Sequence, residues 1–123
     1  MKITLNDRPP AKIAVVSGRL DVNTADEAQK LLMGLLDDGC RALLLDLGNV
    51  EYLSSYGLRV LLLLAKRSAV LNGIFALARI PTPIRRMLDV SGLSTCFSIY
   101  ADPEDAFLPE GLFGKWNKLP EKN

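Results

Sequence analysis

Two adjacent hydroxyl groups, those of Ser54 and Ser55, stand where a buried strand gives way to a leucine-rich helix. The apolar run at residues 42–47 is typical of a buried strand, and leucines at helical spacing begin at Leu58. The first N–H groups of such a helix have no partners within it, and the positive end of the helix dipole attracts anions. The serine pair therefore suits either a bound phosphate or a phosphate attached to the chain itself.

The chain contains no histidine, which removes several kinds of catalytic site. Ser–His and Cys–His nucleophilic catalysis require that side chain, and so do histidine-liganded metal sites. The Gly-x-Ser-x-Gly, Walker-type and Gly-x-Gly-x-x-Gly motifs are missing from the sequence as well. We therefore expect a protein that is not an enzyme and that uses no metal or cofactor.

Length and charge narrow the class further. The chain has 123 residues, 49% of them hydrophobic, and a net charge of +1. These values predict one domain with a substantial core. They also predict no strong electrostatic field that would attract nucleic acid or acidic membranes. The first residues do not form an apolar leader, and charged residues interrupt the stretch at 58–78 too soon for membrane insertion. We expect a soluble, cytoplasmic protein whose Cys40 and Cys96 are buried free thiols, with a disulfide as the alternative.

Strand patterns alternate with helix patterns along the chain, which predicts an α/β fold with a mixed sheet of four to five strands packed against helices. Strands are predicted at residues 2–5, 12–16, 42–47, 74–78 and 97–100, and helices at 21–37, 55–71, 81–91 and 103–107.

Local chemistry places the ends of several of these elements. Asp21 or Thr24 is suited to cap the first helix, and Gly18 is expected to stop the strand before it. Asp46, at the end of the buried strand, is expected to make a local turn contact. The polar residues that follow, up to the serine pair, predict a loop.

The C-terminal segment differs in composition from the rest. From Pro109 onward, glycines, prolines and lysines predict a loose tail. We therefore expect a single domain over residues 1–108 and a tail over residues 109–123. Leu112, Phe113 and Trp116 are the tail residues able to dock on that domain.

Three separated stretches carry a family likeness. Residues 18–21 read Gly-Arg-Leu-Asp, residues 46–58 form the strand–loop–helix segment with the serine pair, and residues 83–93 end in Ser-Gly-Leu. In order and spacing they resemble the STAS domain (sulfate transporter and anti-sigma-factor antagonist), specifically its small stand-alone bacterial members. The resemblance spans about residues 12–107.

The resemblance implies a partner switch. Stand-alone antagonists of this kind bind an anti-sigma factor that is also a serine kinase; phosphorylation of the signature serine breaks the complex, and a PP2C-type phosphatase restores it. The matching phosphoacceptor is Ser55. On its two sides the chain departs from the family pattern, with Ser54 in place of the common aspartate and Tyr56 in place of a small residue. The partner-binding residues implied are Asp21, Ser54, Tyr56, Gly57 and Leu58.

Other interpretations of the same residues stay open. Ser55 is also suited to cap its helix, a role compatible with phosphorylation, and Ser54 is a second possible acceptor that ranks below Ser55. The principal alternative function is a non-phosphorylated STAS subunit of a larger assembly, such as the accessory component of a lipid-transport ABC system. A small-ligand or nucleotide-binding domain that uses the helix terminus is a third.

Overall fold

The computed structural model describes residues 1–116, which form a five-stranded mixed sheet with helices on both faces. The remaining part of the predicted tail, residues 117–123, lies outside the described residues. The elements follow the chain in this order: β1 Lys2–Arg8, β2 Ala11–Leu20, α1 Ala25–Asp37, β3 Ala42–Leu53, α2 Ser55–Val70, β4 Ile74–Ala78, α3 Thr82–Ser91, a 3₁₀ turn Leu93–Cys96, β5 Ser98–Tyr100, α4 Pro103–Phe107 and α5 Leu112–Trp116. The predicted fold class is confirmed.

Sheet order equals chain order, from β1 through β5. The hairpin of β1 and β2 is antiparallel, whereas β2, β3, β4 and β5 are parallel neighbours. The carboxyl ends of the parallel strands therefore share one edge of the sheet, and the serine pair follows β3 at that edge. Loops at this edge are the usual place for function in parallel α/β folds.

Alternating side chains of the central strands divide the core into two layers. In β3, Leu43 and Leu45 face the larger cluster, which also receives residues of α1 and α2, whereas Ala42 and Leu44 face the smaller one. The strand is apolar on both faces because both are covered, as expected for a parallel sheet. The smaller cluster also includes Phe113 from α5.

The predicted ends of the first three strands were wrong. β1 runs to Arg8 instead of ending at residue 5. β2 does not stop at Gly18 but continues to Leu20, with Gly18 at φ +87° beside a register shift. β3 does not stop at residue 47 but runs to Leu53, so residues 48–53 form strand rather than loop. This extension pairs with the last four residues of β2. The serine pair therefore follows directly after a hydrogen-bonded strand and not after a free loop.

The expectation for the cysteines needs correction, and the structure also describes part of the predicted tail. Cys40 is half-buried and Cys96 is exposed, so the prediction of two buried thiols was wrong for Cys96; both are free. The C-terminal residues Leu112, Phe113 and Trp116 pack on the smaller cluster, with Phe113 fully buried. Packing therefore continues past residue 108, although the domain boundary placed there stays a prediction.

Candidate functional site

The first turn of α2 is capped by Ser54. Its Oγ accepts hydrogen bonds from the backbone N–H groups of Tyr56 (3.2 Å) and Gly57 (3.4 Å), and its backbone is extended at φ −90°, ψ 177°. A serine with this conformation and these bonds is a standard N-cap. The cap predicted for Ser55 is therefore wrong, because the preceding serine performs it.

Ser55 is the first residue of α2, and its side chain is exposed to solvent. Since the cap uses the hydroxyl of Ser54, the hydroxyl of Ser55 is not committed to holding the helix end. Tyr56, the next residue, is also exposed, with 53% of its surface accessible. The turn thus presents a serine and a tyrosine outward, side by side.

Gly57 lies at the opposite side of this turn and is buried against the end of β2. Leu58, one residue further, is half-buried against the larger core cluster, and its N–H donates to the carbonyl of Ser54 at 2.9 Å. These two residues fix the turn from its inner side. Of the five predicted partner-binding residues, they are therefore the ones turned toward the core.

The turn is also tied to β2 through the backbone. The N–H of Ser54 donates to the carbonyl oxygen of Leu20 at 3.0 Å. Asp21 follows Leu20 directly, so the structure brings Asp21 and the serine pair onto neighbouring chain segments at the same edge of the sheet. The sequence places them more than thirty residues apart, and only the parallel pairing of β2 with β3 brings them together.

The Asp21 carboxylate closes the turn that leads into α1. One oxygen accepts the backbone N–H of Asn23 at 3.0 Å, and the other accepts Nε of Arg19 at 3.2 Å. The hydrogen bond from Asn23 is the main cause that lowers the pKa of Asp21, and Arg19 lowers it further. Asp21 is therefore a fixed anion beside the serine turn. Thr24 occupies the N-cap position of α1 without a side-chain cap bond, so the cap predicted for Thr24 does not form, and Asp21 bonds to the turn that precedes the helix.

Sequence analysis missed an aromatic and cationic pair next to this anion. The guanidinium of Arg19 stacks on the ring of Tyr52, 4.4 Å from its centroid, and 45% of Tyr52 is accessible. Val22, just beyond Asp21, is also exposed. Extending β3 to Leu53 would have identified Tyr52, because the residue next to an inward-facing Leu53 must face outward.

A second polar contact, between Asp46 and Arg79, links β3 to the residue after β4. Asp46 is almost fully buried, and one oxygen accepts the N–H of Gly48 at 3.0 Å. The predicted local contact therefore forms, but within β3 and not in a turn at a strand end. The other oxygen accepts two bonds from Arg79 at 3.0 and 3.1 Å, and sequence analysis did not foresee this partner. Arg79 follows β4 with φ 55°, and its side chain reaches Asp46 of β3. The pair joins the middle of β3 to the residue that follows β4.

The described residues contain no group of three or more His, Cys, Asp or Glu side chains arranged to hold a metal ion. No helix within residues 1–116 has the length and hydropathy needed to cross a membrane. The chemical features of this edge are thus an exposed hydroxyl, a fixed carboxylate, and exposed aromatic and apolar surface. Such a combination suits contact with another protein.

Comparison with known proteins agrees with this description. The STAS domain family matches residues 2–106, and the chain belongs to that family. BtrV of Bordetella bronchiseptica is 32% identical over 106 residues, which cover 86% of this chain and 91% of BtrV. The anti-sigma-F factor antagonist RsfB of Mycobacterium tuberculosis is 26% identical, covering 85% of this chain and 84% of RsfB.

A solved structure shows the same architecture. The crystal structure of an anti-sigma factor antagonist from Mycobacterium paratuberculosis is 28% identical to this chain, with a TM-score of 0.76. The superposed region covers 85% of this chain and 88% of that one. By sequence and by fold, therefore, the chain groups with anti-sigma factor antagonists within the STAS family.

Proposed function

We propose that this protein is a cytoplasmic anti-sigma-factor antagonist that binds an anti-sigma factor/serine kinase and is released when that kinase phosphorylates Ser55. A PP2C-type phosphatase would remove the phosphate and restore binding. The observation that carries the proposal is the exposed hydroxyl of Ser55 next to a cap supplied by Ser54. The names of the relatives support the choice of partner class.

The proposed docking surface consists of the outward residues around this hydroxyl. Tyr56 supplies exposed aromatic area, and Asp21 supplies a fixed negative charge on the adjacent segment. Ser54, Gly57 and Leu58 contribute by holding the turn in shape, since their side chains or backbone are committed to the cap and the core. A turn held by these bonds and contacts should pay a smaller ordering cost on binding than a free loop would.

Phosphorylation would change binding far more than folding. Transfer forms a bond between Oγ of Ser55 and the γ-phosphorus of ATP, breaks the bond to the β,γ-bridging oxygen, releases ADP, and passes the hydroxyl proton to a base of the kinase. The phosphoserine carries roughly −1.5 to −2 charges, which a helix N-terminus tolerates. Trapped in a docked interface, such a charge costs about 2–5 kcal/mol. At about 1.4 kcal/mol per tenfold, association weakens roughly 30-fold to several thousand-fold.

The test is incubation with candidate anti-sigma kinases and ATP, followed by intact-mass measurement. We expect a gain of one phosphoryl group, about 80 Da, in the parent and in Ser54→Ala, and no gain in Ser55→Ala. Binding of Ser55→Asp to the partner should be weaker than that of the parent. The absence of phosphoryl gain with every cognate kinase, together with unaltered binding by Ser55→Asp, would overturn the switch.

Two other results would redirect the proposal. A phosphopeptide that maps to Ser54 would keep the mechanism and move the acceptor by one residue. Copurification with membrane ABC components, without phosphorylation, would favour the accessory-subunit function in place of the switch.

A further inference from the structure

Arg59 lies one turn beyond Ser55 on the same face of α2. Residues four apart on an α-helix are surface neighbours, so the side chains at positions 55 and 59 are within reach of each other. Both residues are exposed. The serine is on the N-terminal side of the arginine, which is the favourable order for an anion and a cation on one helix.

Arg59 has no competing partner near the turn. None of the six ion pairs within residues 1–116 includes it, and the first turn of α2 carries no acidic side chain. Its guanidinium group is therefore available in the unmodified protein. Arg19, by contrast, already contacts Asp21. A phosphate would have to displace the Asp21 carboxylate before it could bind the guanidinium of Arg19.

The backbone of the turn cannot supply all the donors that a phosphate would need. The N–H groups of Tyr56 and Gly57 already donate to Ser54 Oγ, and the N–H of Leu58 donates to the Ser54 carbonyl. A phosphate on Ser55 would meet the positive end of the helix dipole but would find these donors occupied. A side-chain cation would supply the missing hydrogen bonds, and Arg59 lies one helical turn along this face of α2.

We propose that Arg59 is the counter-ion of phosphorylated Ser55, binding the phosphate with its guanidinium one helical turn along α2. This inference rests on the proposed function, because it concerns the modified form of the same serine. A guanidinium binds a phosphate through two parallel hydrogen bonds, which a lysine ammonium cannot reproduce. Modification then adds an anion to the docking surface and pairs the exposed guanidinium of Arg59 with it.

The experiment measures the phosphate itself. Phosphoserine is incorporated at position 55 during translation, so no kinase is needed, and the phosphate is titrated by ³¹P NMR at low ionic strength. Arg59 favours the dianion and lowers the midpoint of the titration, so Arg59→Gln should raise that midpoint by about 0.2–0.4 pH unit. Lys66→Gln removes the same charge from an exposed position of the same helix and should leave the midpoint unchanged.

Equal midpoints in the parent and in Arg59→Gln would overturn the inference. An equal rise in Arg59→Gln and Lys66→Gln would also overturn it, since net charge alone would then explain the shift. Arg59→Lys keeps the charge without the bidentate geometry and should give an intermediate midpoint. It provides the comparison if the glutamine variant does not fold. Failure of the proposed function is separable, because it would appear as a lack of kinase modification while the titration difference persisted.

Discussion

Gly57 of α2 lies so close to the carbonyl oxygen of Leu20, at the end of β2, that no side chain fits between them. A Cβ atom at position 57 would stand 2.5 Å from that oxygen and 2.7 Å from a methyl carbon of Leu53, both well inside van der Waals contact. The helix therefore approaches the ends of two strands as closely as a residue without a side chain allows. This contact sets how far the serine turn projects from the edge of the sheet.

Replacing Gly57 by alanine should destabilise the protein, because backbone atoms on the other side cannot yield cheaply. We expect a loss of about 1–3 kcal/mol in the free energy of unfolding, measured by urea denaturation. Gly34→Ala is the matched control: it is also helical, and a Cβ there meets nothing within 4 Å. This control should gain about 0.5–1 kcal/mol from helix propensity. Equal effects of the two substitutions would refute the close approach.

Alanine substitution should affect stability differently at Ser54 and at Ser55. Ser54→Ala removes the acceptor for two backbone N–H groups and should cost about 1 kcal/mol of stability. Ser55→Ala replaces an exposed side chain outside the cap and should change stability by less than about 0.5 kcal/mol. Thermal and urea unfolding of both variants decide the question. A larger loss in Ser55→Ala than in Ser54→Ala would contradict the assignment of the cap.

Asp21 should give the fold a dependence on acidic pH. Its pKa in the folded protein is below the ordinary value of 3.8, mainly because of the hydrogen bond from Asn23. The ionised carboxylate therefore stabilises the fold above that pH, and this contribution is lost as the pH falls through the lowered pKa. Urea titrations should show Asp21→Asn less stable than the parent at neutral pH, with the difference shrinking below pH 3.8. A difference that stays constant to the lowest pH would exclude this linkage.

The C-terminal helix α5 should contribute to stability through one aromatic ring. Phe113 is 1% exposed and lies 5.1 Å from the ring of Phe107, centroid to centroid. Phe113→Ala should therefore cost about 3–5 kcal/mol in the free energy of unfolding. Leu108→Ala, at a residue that is 46% exposed, should stay within about 0.5 kcal/mol of the parent. If Phe113→Ala unfolds like the parent, the predicted domain boundary at residue 108 is supported.

Elements with a single dominant signal could be predicted from the sequence. The apolar run of β4 and the leucine spacing of α2 determine these elements locally, and β4 spans the predicted residues 74–78. The extension of β3 could not be predicted in the same way, because Gly48, Asn49 and Glu51 have loop-like composition. Only the pairing of this segment with β2 makes it a strand, and pairing partners are distant in sequence.

The residues of the functional site likewise fall into those that local sequence predicts and those that only strand pairing places. Ser54 and Ser55 were found together because both mark the start of one helix, but which of them is the cap depends on the φ and ψ angles of a single residue. Arg19, Tyr52 and Arg79 were not identified, since each owes its position to a contact across strands. Local chemistry located the helix terminus, and tertiary pairing assembled what surrounds it.

The division of work between neighbouring serines has a consequence for turnover. Because the Ser55 hydroxyl makes no cap bond, repeated phosphorylation and dephosphorylation there would leave the start of α2 intact. Ser54 keeps its cap bond whether or not the exposed hydroxyl of Ser55 carries a phosphate.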